Sequence, residues 1–504
     1  MRWASTAAAA AQLLGLASAF VPIAPLVHQV DPHAANVAGT DKLTPAAPSY
    51  TAGFFDQLID HANPSLGTFK QRFWYSADNY NGPNSPIVLA SPGESGVEEK
   101  YINFGSAYTP NVYAAKLGGA SIQIEHRYFG KSLPYPEDQL NTETYQYHTL
   151  DNAVQDLIYF AKNVDLPFTN GTSTPDVAPW VLVGCSYSGA LAAWVHALSP
   201  NTFWAYHCGS AVVEAIEDFW TYFEPVKAAL PKNCTADWQR IVKHVDSVLD
   251  SGDQKAKDDL KAKFNQTGTT DVQFAEAMTG WLGNWQGQQL YSGYSQPFKV
   301  CDYIENQYPG SRTPNPDANG VGLDKAIAGF ANATRAAWWN IPPFTGLDAK
   351  SWSWYLCNEP FEWWQAYASA DTTGFIPKLF TTKAAIKEAC QDVFPDVNGH
   401  QYGLKKGRTV EQLNKRTGGW NQVNTKRLMW INGQFDPWRD ATVSSSRRPG
   451  GPLKSTKAAP VFDIPKAAHC NDYIYYNANA NPAAVKIFDS MVKQIVTWVD
   501  EFYA

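Results

Sequence analysis

The chain has 504 residues and a formal net charge of -7, with 44% hydrophobic and 17% charged residues. These values are typical of a folded protein long enough for one large core and a further structural layer, and they exclude an intrinsically disordered chain. The acidic balance argues against nucleic acid or an anionic membrane as a partner.

The first residues have the pattern of an export signal. Arg2 supplies a positive charge, residues 7–16 form a short apolar stretch, and residues 17–19 (Ala-Ser-Ala) are typical of a signal-peptidase site. We therefore expect a signal peptide at 1–19, followed at 20–48 by a linker or removable pro-segment rich in Ala and Pro. The apolar stretch is too short to span a bilayer, so we expect export, either to the medium or to a vacuole or lysosome.

Sequons and cysteines fit an exported protein. The Asn-x-Ser/Thr sequons are at Asn170, Asn233, Asn265 and Asn332. Seven cysteines predict disulfides with one thiol left over, and the first pairs to test are Cys234 with Cys301 and Cys357 with Cys390. Neither Cys-x-x-Cys nor His-Glu-x-x-His occurs, so we expect neither a metal nor a cofactor.

The first part of the chain alternates apolar runs with helical stretches. Runs at 85–90, 120–125 and 180–183 are bounded by turn residues and predict buried strands. This alternation predicts an α/β fold, with a mostly parallel sheet and helices on both faces.

The middle of the chain has a helical pattern, and strands return after it. A strand is predicted again at 427–431, and an amphipathic helix closes the chain at 484–502. We therefore divide the chain into a first core part at 49–212, a helical cap at 213–415 and a second core part at 416–504. The sequence does not indicate an oligomeric state.

A nucleophile elbow is the strongest local signal. Residues 180–194 run from a strand through Gly-Cys-Ser-Tyr-Ser-Gly into a helix, the context of Gly-x-Ser-x-Gly in serine hydrolases. Such a tight turn needs small residues two before and two after the nucleophile. Gly184 and Ser188 satisfy this for Ser186. Ser188 also has small neighbours and is the alternative register, and an ordinary strand-to-helix turn is the alternative to an elbow.

A serine nucleophile needs a base and an orienting carboxylate, which in this architecture follow in the order Ser, acid, His. Asp436 follows the strand 427–431 directly, and His469 is the only histidine after it. We expect Ser186, Asp436 and His469 to form a catalytic triad. Each of Asp436 and His469 alone has a structural alternative, a turn residue before Pro and a loop histidine.

The oxyanion hole is expected to combine two backbone N–H groups. One is that of Tyr187, and the other is that of Gly93 in the loop after the first buried strand. Glu94, in the same loop, is a candidate substrate-binding residue.

A third disulfide is expected beside the elbow. Cys185 ends the strand before Ser186, and Cys208 lies in residues 205–210, which we interpret as the neighbouring parallel strand. Adjacent strands are ~4.8 Å apart, which suits the Cα separation of a disulfide. We expect a Cys185–Cys208 bond with Cys470 as the odd thiol, and the alternative is that both are buried thiols whose side chains point apart.

Several motifs resemble those of the S28 serine peptidases, the family of Pro-X carboxypeptidase, dipeptidyl peptidase II and fungal prolyl endopeptidases. The motifs are residues 55–61, 69–72, 125–132 and 184–194, Asn432-Gly433, Asp436-Pro437-Trp438 and His469. The likeness is greatest to the fungal prolyl endopeptidases, at residues 190–194, 203–207, 356–360 and 448–452. Two features depart from the family: Cys185 stands where Gly is usual, and residues 332–356 are shorter.

The resemblance implies an α/β-hydrolase core with a helical cap, hydrolysis of proline-containing peptides or proteins after proline, and activity at acid pH. It also implies that Trp438 helps to form an apolar proline pocket. Two other functions remain open: a secreted esterase or lipase with the same elbow, and a binding protein on an inactive hydrolase scaffold.

Overall fold

The computed structural model describes residues 49–97, 102, 104–105, 107–171, 173–308, 310–311, 314–336 and 346–504. The expected signal peptide at 1–19 and the segment at 20–48 lie outside the described residues.

One mixed sheet organises the described residues. Its eight strands are β1 Thr51–Leu58, β2 Thr68–Ser76, β3 Ile87–Ala90, β4 Ala120–Ile124, β5 Trp180–Cys185, β6 Ala205–Gly209, β7 Leu428–Gly433 and β8 Val461–Ile464. Their spatial order is β1-β2-β4-β3-β5-β6-β7-β8. The β1–β2 and β2–β4 pairs are antiparallel, and the other neighbouring strands are parallel. The predicted α/β fold with a mostly parallel sheet is confirmed, and its architecture is that of an α/β hydrolase.

Helices cover both faces of this sheet. They are α1 Thr109–Leu117, α2 Leu150–Asn163, α3 Tyr187–Leu198, α4 Phe223–Ala229, α5 Lys232–Leu249, α6 Gln254–Lys263, α7 Asp271–Gly283, α8 Gln296–Ile304, α9 Leu323–Arg335, α10 Gly346–Asn358, α11 Thr382–Ile386, α12 Val410–Thr417 and α13 Pro482–Asp500. The α1 and α13 helices pack on the face that carries Val181 and Val183, and α2 and α3 on the face that carries Leu182.

Helices α4 to α12 all lie between β6 and β7 in the chain. The α5 helix buries an apolar face through Trp238, whose ring packs against Trp281 and Phe330 at 5.2 and 5.0 Å between centroids. The hydrophobic core continues without a break from the sheet into these helices. The cap at 213–415 as a separate domain stays a prediction.

Three strands have no counterpart in the sequence prediction. The β1 strand lies at the sheet edge and exposes half of its residues, so it carries no apolar run. Its partner β2 and the short β8 strand mix polar and apolar residues. The β8 strand, like β1, lies at an edge of the sheet, where little burial is needed. The β2 strand is interior and largely buried, but polar residues interrupt its apolar run. Both effects weaken the pattern that reveals buried strands.

The disulfides are partly as expected. Cys234–Cys301 and Cys357–Cys390 are both bonded. The expected Cys185–Cys208 bond is wrong: Cys185 is bonded to Cys470, and Cys208 is a buried free thiol. The reason is the register of β5 and β6, which pairs Cys208 with Gly184. Because successive side chains alternate between faces, Cys185 and Cys208 point to opposite sides of the sheet.

No helix in the described part of the chain has both the length and the apolar character needed to cross a bilayer.

Candidate active site

The turn after β5 holds Ser186 in an unusual backbone conformation. Ser186 immediately precedes α3 and has φ 62° and ψ -132°, a region that non-glycine residues rarely adopt. A Cβ atom on Gly184 would lie 2.2 Å from the Ser188 carbonyl oxygen, and one on Gly189 would lie 2.6 Å from that of Gly209. Both positions therefore require glycine, because the strand and helix backbones nearly touch. This is the geometry of a nucleophile elbow.

A buried histidine–carboxylate pair lies at the same edge of the sheet. Asp436 follows β7, and its two carboxylate oxygens are 2.9 and 3.1 Å from Nδ1 of His469. Both side chains are buried, and the Asp436 carboxylate also accepts a hydrogen bond from Trp438 N at 2.9 Å. With Nδ1–H donating to the carboxylate, Nε2 is the ring nitrogen left to accept a proton.

Nε2 of His469 is buried and has no hydrogen-bond partner among the described residues. Since an unpaired buried polar atom is unfavourable, such an atom commonly marks a functional group. The Cys185–Cys470 disulfide, with Cα atoms 5.8 Å apart, joins the residue before Ser186 to the residue after His469. The structure therefore brings Ser186, Asp436 and His469 to one site.

An aromatic cluster adjoins the histidine. The Trp438 ring lies 6.1 Å from that of His469 and 5.4 Å from that of Phe219, measured between centroids. Tyr222 and Trp363 complete its surroundings at 5.4 and 5.9 Å. Trp438 is 7% exposed, so it is nearly enclosed by these rings.

One buried glutamine fixes the Trp438 ring. The indole N–H donates to Gln286 Oε1 at 2.8 Å, and the Tyr222 hydroxyl donates to the same oxygen at 3.1 Å. The sequence analysis did not identify Gln286, Phe219, Tyr222 or Trp363. The cluster of aromatic residues at 219–223 was the available signal for this part of the pocket.

Tyr187 begins α3, so its N–H lies at the helix N-terminus beside Ser186. Its hydroxyl is 2.8 Å from His126 Nε2 and 3.0 Å from the Tyr355 hydroxyl. Burial lowers the pKa of His126 to about 4, so this ring is neutral above that pH. His126 Nδ1 lies 2.8 Å from the Arg127 carbonyl oxygen. Nδ1 therefore carries the hydrogen.

Gly93 and Glu94 lie in the loop after β3. This loop leaves the sheet beside the end of β5, since Ser91 N donates to Val183 O at 2.8 Å. Glu94 is buried, and burial raises the pKa of its carboxyl to about 8. Burial and then the Glu94 charge are among the causes that raise the pKa of Tyr187 well above its usual value. The loop that carries Glu94 thus leaves the sheet at the edge that carries Ser186.

The motif at 125–132 contacts the end of the loop that follows β3. Glu125 accepts hydrogen bonds from Val97 N at 2.9 Å, Ser132 Oγ at 2.6 Å and Arg72 Nε at 2.9 Å. Because a buried carboxylate with several donors is held firmly, Glu125 anchors the end of the loop that carries Gly93 and Glu94.

The sequons differ in exposure. Asn170 and Asn265 are exposed, whereas Asn233 and Asn332 are half-buried; glycosylation stays a prediction at all four. Among the described residues, no group of three or more His, Cys, Asp or Glu side chains is arranged to hold a metal ion.

Comparison with known proteins identifies relatives over most of the chain. The model of the serine carboxypeptidase S28 family matches residues 57–308 and 329–489. The serine protease vicPb of Bipolaris victoriae is 33% identical over 90% of this chain and 89% of its own. A protein of Arthroderma benhamiae described as a probable extracellular serine carboxypeptidase is 24% identical over 89% of this chain and 66% of its own.

Among solved structures, the carboxylesterase EstE1, cloned from a metagenomic library, is 10% identical with a TM-score of 0.35, over 91% of each chain.

Proposed function

Because the chain belongs to the serine carboxypeptidase S28 family and is a serine-type peptidase, we propose that it is an exported enzyme that cleaves peptide bonds after proline with Ser186, Asp436 and His469. One observation carries this proposal. His469 Nε2 is buried without a hydrogen-bond partner among the described residues, while Nδ1 faces Asp436. A base in this state is ready to accept the proton of a serine hydroxyl when substrate arrives.

The chemistry proceeds through an acyl-enzyme. Ser186 Oγ attacks the carbonyl carbon of the scissile bond while His469 Nε2 takes the hydroxyl proton. The negative charge that forms on the carbonyl oxygen is stabilised by the N–H groups of Tyr187 and Gly93. The imidazolium of His469 then gives its proton to the leaving amine, and the C–N bond breaks. Water, activated by the same nitrogen, releases the acid and regenerates Ser186.

Trp438 supports the specificity for proline. A flat, rigid wall suits the compact pyrrolidine ring, which buries its whole apolar face against an indole at little entropic cost. The hydrogen bond to Gln286 holds this wall in one orientation. Long or charged side chains would leave polar or mobile groups against aromatic carbon, so we expect them to react more slowly.

Glu94 fits activity from acid to neutral pH. With a pKa of about 8, its carboxyl is protonated in an acidic medium and is a hydrogen-bond donor. We propose that it donates to a carbonyl oxygen of the bound peptide. Ionisation at higher pH would place a buried negative charge beside the region where the oxyanion forms, and this opposes the reaction.

Export rests on the Ala-rich leader at 1–19 and on the extracellular relative in Arthroderma benhamiae. Disulfides within the chain fit an oxidising compartment.

The test is product analysis on a long peptide with one internal proline and one near its carboxyl end, at pH ~4–5. New termini after proline are expected, and cleavage at the internal or the terminal site separates endopeptidase from carboxypeptidase action. A matched peptide with alanine for proline is expected to react more slowly. Equal cleavage after Lys or Phe, or a preference for long-chain esters over peptides, would contradict the proposal.

A further inference from the structure

Two strands of the sheet lie between the strand that precedes the proposed nucleophile and the strand that precedes the proposed base. Ser186 follows β5, whereas His469 lies in the loop after β8, and β6 and β7 separate these strands. At ~4.8 Å per strand, the ends of β5 and β8 are roughly 14 Å apart. The loop after β8 therefore has to cross the sheet edge before His469 can serve Ser186, and its position there is not set by β-sheet hydrogen bonds.

The Cys185–Cys470 disulfide makes this connection. The two Cα atoms are 5.8 Å apart, and both residues are 2% exposed. Consecutive Cα atoms are ~3.8 Å apart, so the bond limits how far the backbone of Ser186 can move from that of His469.

The backbone on both sides of the bond is held in an uncommon conformation. Ser186 has φ 62° and Cys470 has φ 56°. Non-glycine residues keep such angles only where the surrounding structure imposes them, and they concentrate at functional sites. Loss of the disulfide would remove one of the constraints that hold the φ angles of Ser186 and Cys470.

Other contacts keep the loop folded without the disulfide. Cys470 N donates to Ser210 Oγ at 3.0 Å, and Asp472 Oδ2 lies 2.8 Å from His207 Nε2. Thr109 Oγ1 donates to the Asp472 carbonyl oxygen at 2.6 Å. These contacts join the loop to β6, to Ser210 just after it and to α1. They predict that the loop stays in place when the disulfide is removed, but with more freedom at His469.

We propose that the Cys185–Cys470 disulfide is a positioning element of the active site, which holds the His469 ring in reach of the Ser186 hydroxyl. This inference rests on the proposed function of the two residues. The sulfur atoms take no part in the reaction and act through their neighbours in the chain. The rings of Phe219, Tyr222 and Trp363 around Trp438 come from other segments, so we expect substrate binding to depend on the bond less than kcat does.

The test compares two double variants at pH ~4–5 and 25 °C. In C185A/C470A, kcat is expected to fall about 10- to 100-fold with KM changed less than about threefold, since a misplacement of ~1 Å costs roughly 100-fold in rate. Labelling of Ser186 by a fluorophosphonate is expected to slow by the same factor. The matched control C234A/C301A removes another buried disulfide, between α5 and α8. It is expected to melt at a lower temperature with kcat unchanged.

The outcomes separate the two proposals. Wild-type kcat in folded C185A/C470A, or an equal loss in both variants, would overturn the positioning role. If C185A/C470A does not fold at 25 °C, C185S/C470S is measured at 10 °C. If neither C185A/C470A nor C185S/C470S folds while C234A/C301A does, the positioning role would also be overturned, because the Cys185–Cys470 bond would then be required for folding. A wild-type enzyme that neither reacts with the fluorophosphonate nor cleaves a proline peptide would refute the proposed function itself.

Discussion

The hydroxyl of Ser188 is bonded twice to the backbone of Cys185: it accepts from Cys185 N at 2.9 Å and donates to Cys185 O at 2.7 Å. A hydroxyl has one hydrogen, and here it is already used. Ser188 therefore closes the first turn of the elbow and has no proton to give to a base. Its geometry favours Ser186 as the nucleophile over the alternative register.

The first prediction separates the two serines. S186A is expected to lose about 10⁶-fold in kcat with an unchanged melting temperature. S188A is expected to keep most of its kcat and to lose about 1–3 kcal/mol of stability, because Cys185 N–H stays buried without its acceptor. Steady-state kinetics and urea unfolding measure these effects. An inactive S188A beside an active S186A would show that the register is wrong.

The second prediction concerns the bond between Trp438 and Gln286. W438F keeps an aromatic wall but removes the indole N–H, so the pocket loses its fixed orientation. We expect KM for a proline peptide to rise and kcat/KM to fall about tenfold, in line with the ~0.5–1.5 kcal/mol net contribution of one lost hydrogen bond. The matched control is W204F, which removes the indole N–H that donates to the Trp498 carbonyl oxygen, away from this pocket.

Unchanged kcat/KM in W438F, or an equal fall in W204F, would show that the indole hydrogen bond has no special role in specificity.

The parts of the fold that carry buried apolar runs could be predicted from the sequence. The β3, β5 and β7 strands are buried throughout, so their composition alone reveals them. Ser186 and Asp436 follow such strands directly, which is why both could be located. The β1 strand could not be predicted in this way, because a strand at an exposed edge of the sheet needs no apolar pattern.

Relations between side chains on different segments could not be predicted. The predicted Cys185–Cys208 bond was wrong because the pairing of β5 with β6 differs by one residue from the pairing that the bond needs. Cys208 pairs with Gly184 and thus faces away from Cys185. A shift of one residue reverses every side chain of a strand. Gln286 lies in a helical segment far from Trp438 in the chain, and no local pattern distinguishes a glutamine that orients an indole from one on the surface.

The third prediction concerns Glu94 and pH. Burial raises the pKa of its carboxyl to about 8, so the proton is lost as the pH rises through that value. If the neutral form is the active one, kcat/KM of the wild type falls above pH ~8 with one ionisation. E94Q cannot ionise and is expected to retain its kcat/KM through this range. A fall at the same pH in E94Q would assign the ionisation to another group.

The fourth prediction concerns stability and pH. Burial raises the pKa of several carboxyls: Glu94 and Glu305 to about 8, and Glu214 and Glu362 to about 7. The unfolded carboxyls ionise near 4.5, so between 4.5 and 8 the folded chain holds protons that the unfolded chain has released. The contribution of these four carboxyls to stability is then greatest at or below about pH 4.5 and is lost as the pH rises through 8. Since burial lowers the pKa of His126 from 6.5 to about 4 and so opposes this trend below pH 6.5, the decline is expected above that pH.

Melting temperatures from pH 6.5 to 8 measure this effect. E305Q removes one of the carboxyls and is expected to flatten the decline, whereas E501Q, at an exposed position, is expected to leave it unchanged. A melting temperature that rises over this range would contradict the prediction.

The fifth prediction concerns the cysteines. Mass spectrometry of the non-reduced protein is expected to show a Cys185 peptide linked to a Cys470 peptide. Iodoacetamide added to the unfolded, non-reduced chain is expected to modify Cys208 alone, since it is the free thiol. Modification of Cys470 instead of Cys208 would contradict this prediction and support the bond first expected between Cys185 and Cys208.

The position of the helical segment between β6 and β7 also determines when activity can begin. Cys185 and Cys470 are separated by 285 residues, and Asp436 and His469 both follow the helices. At ~5–20 residues per second, a ribosome needs roughly 15–60 s to proceed from one cysteine to the other. With the proposed triad, the nascent chain carries Ser186 without its base during this time, so we expect that it cannot hydrolyse its own unfolded segments.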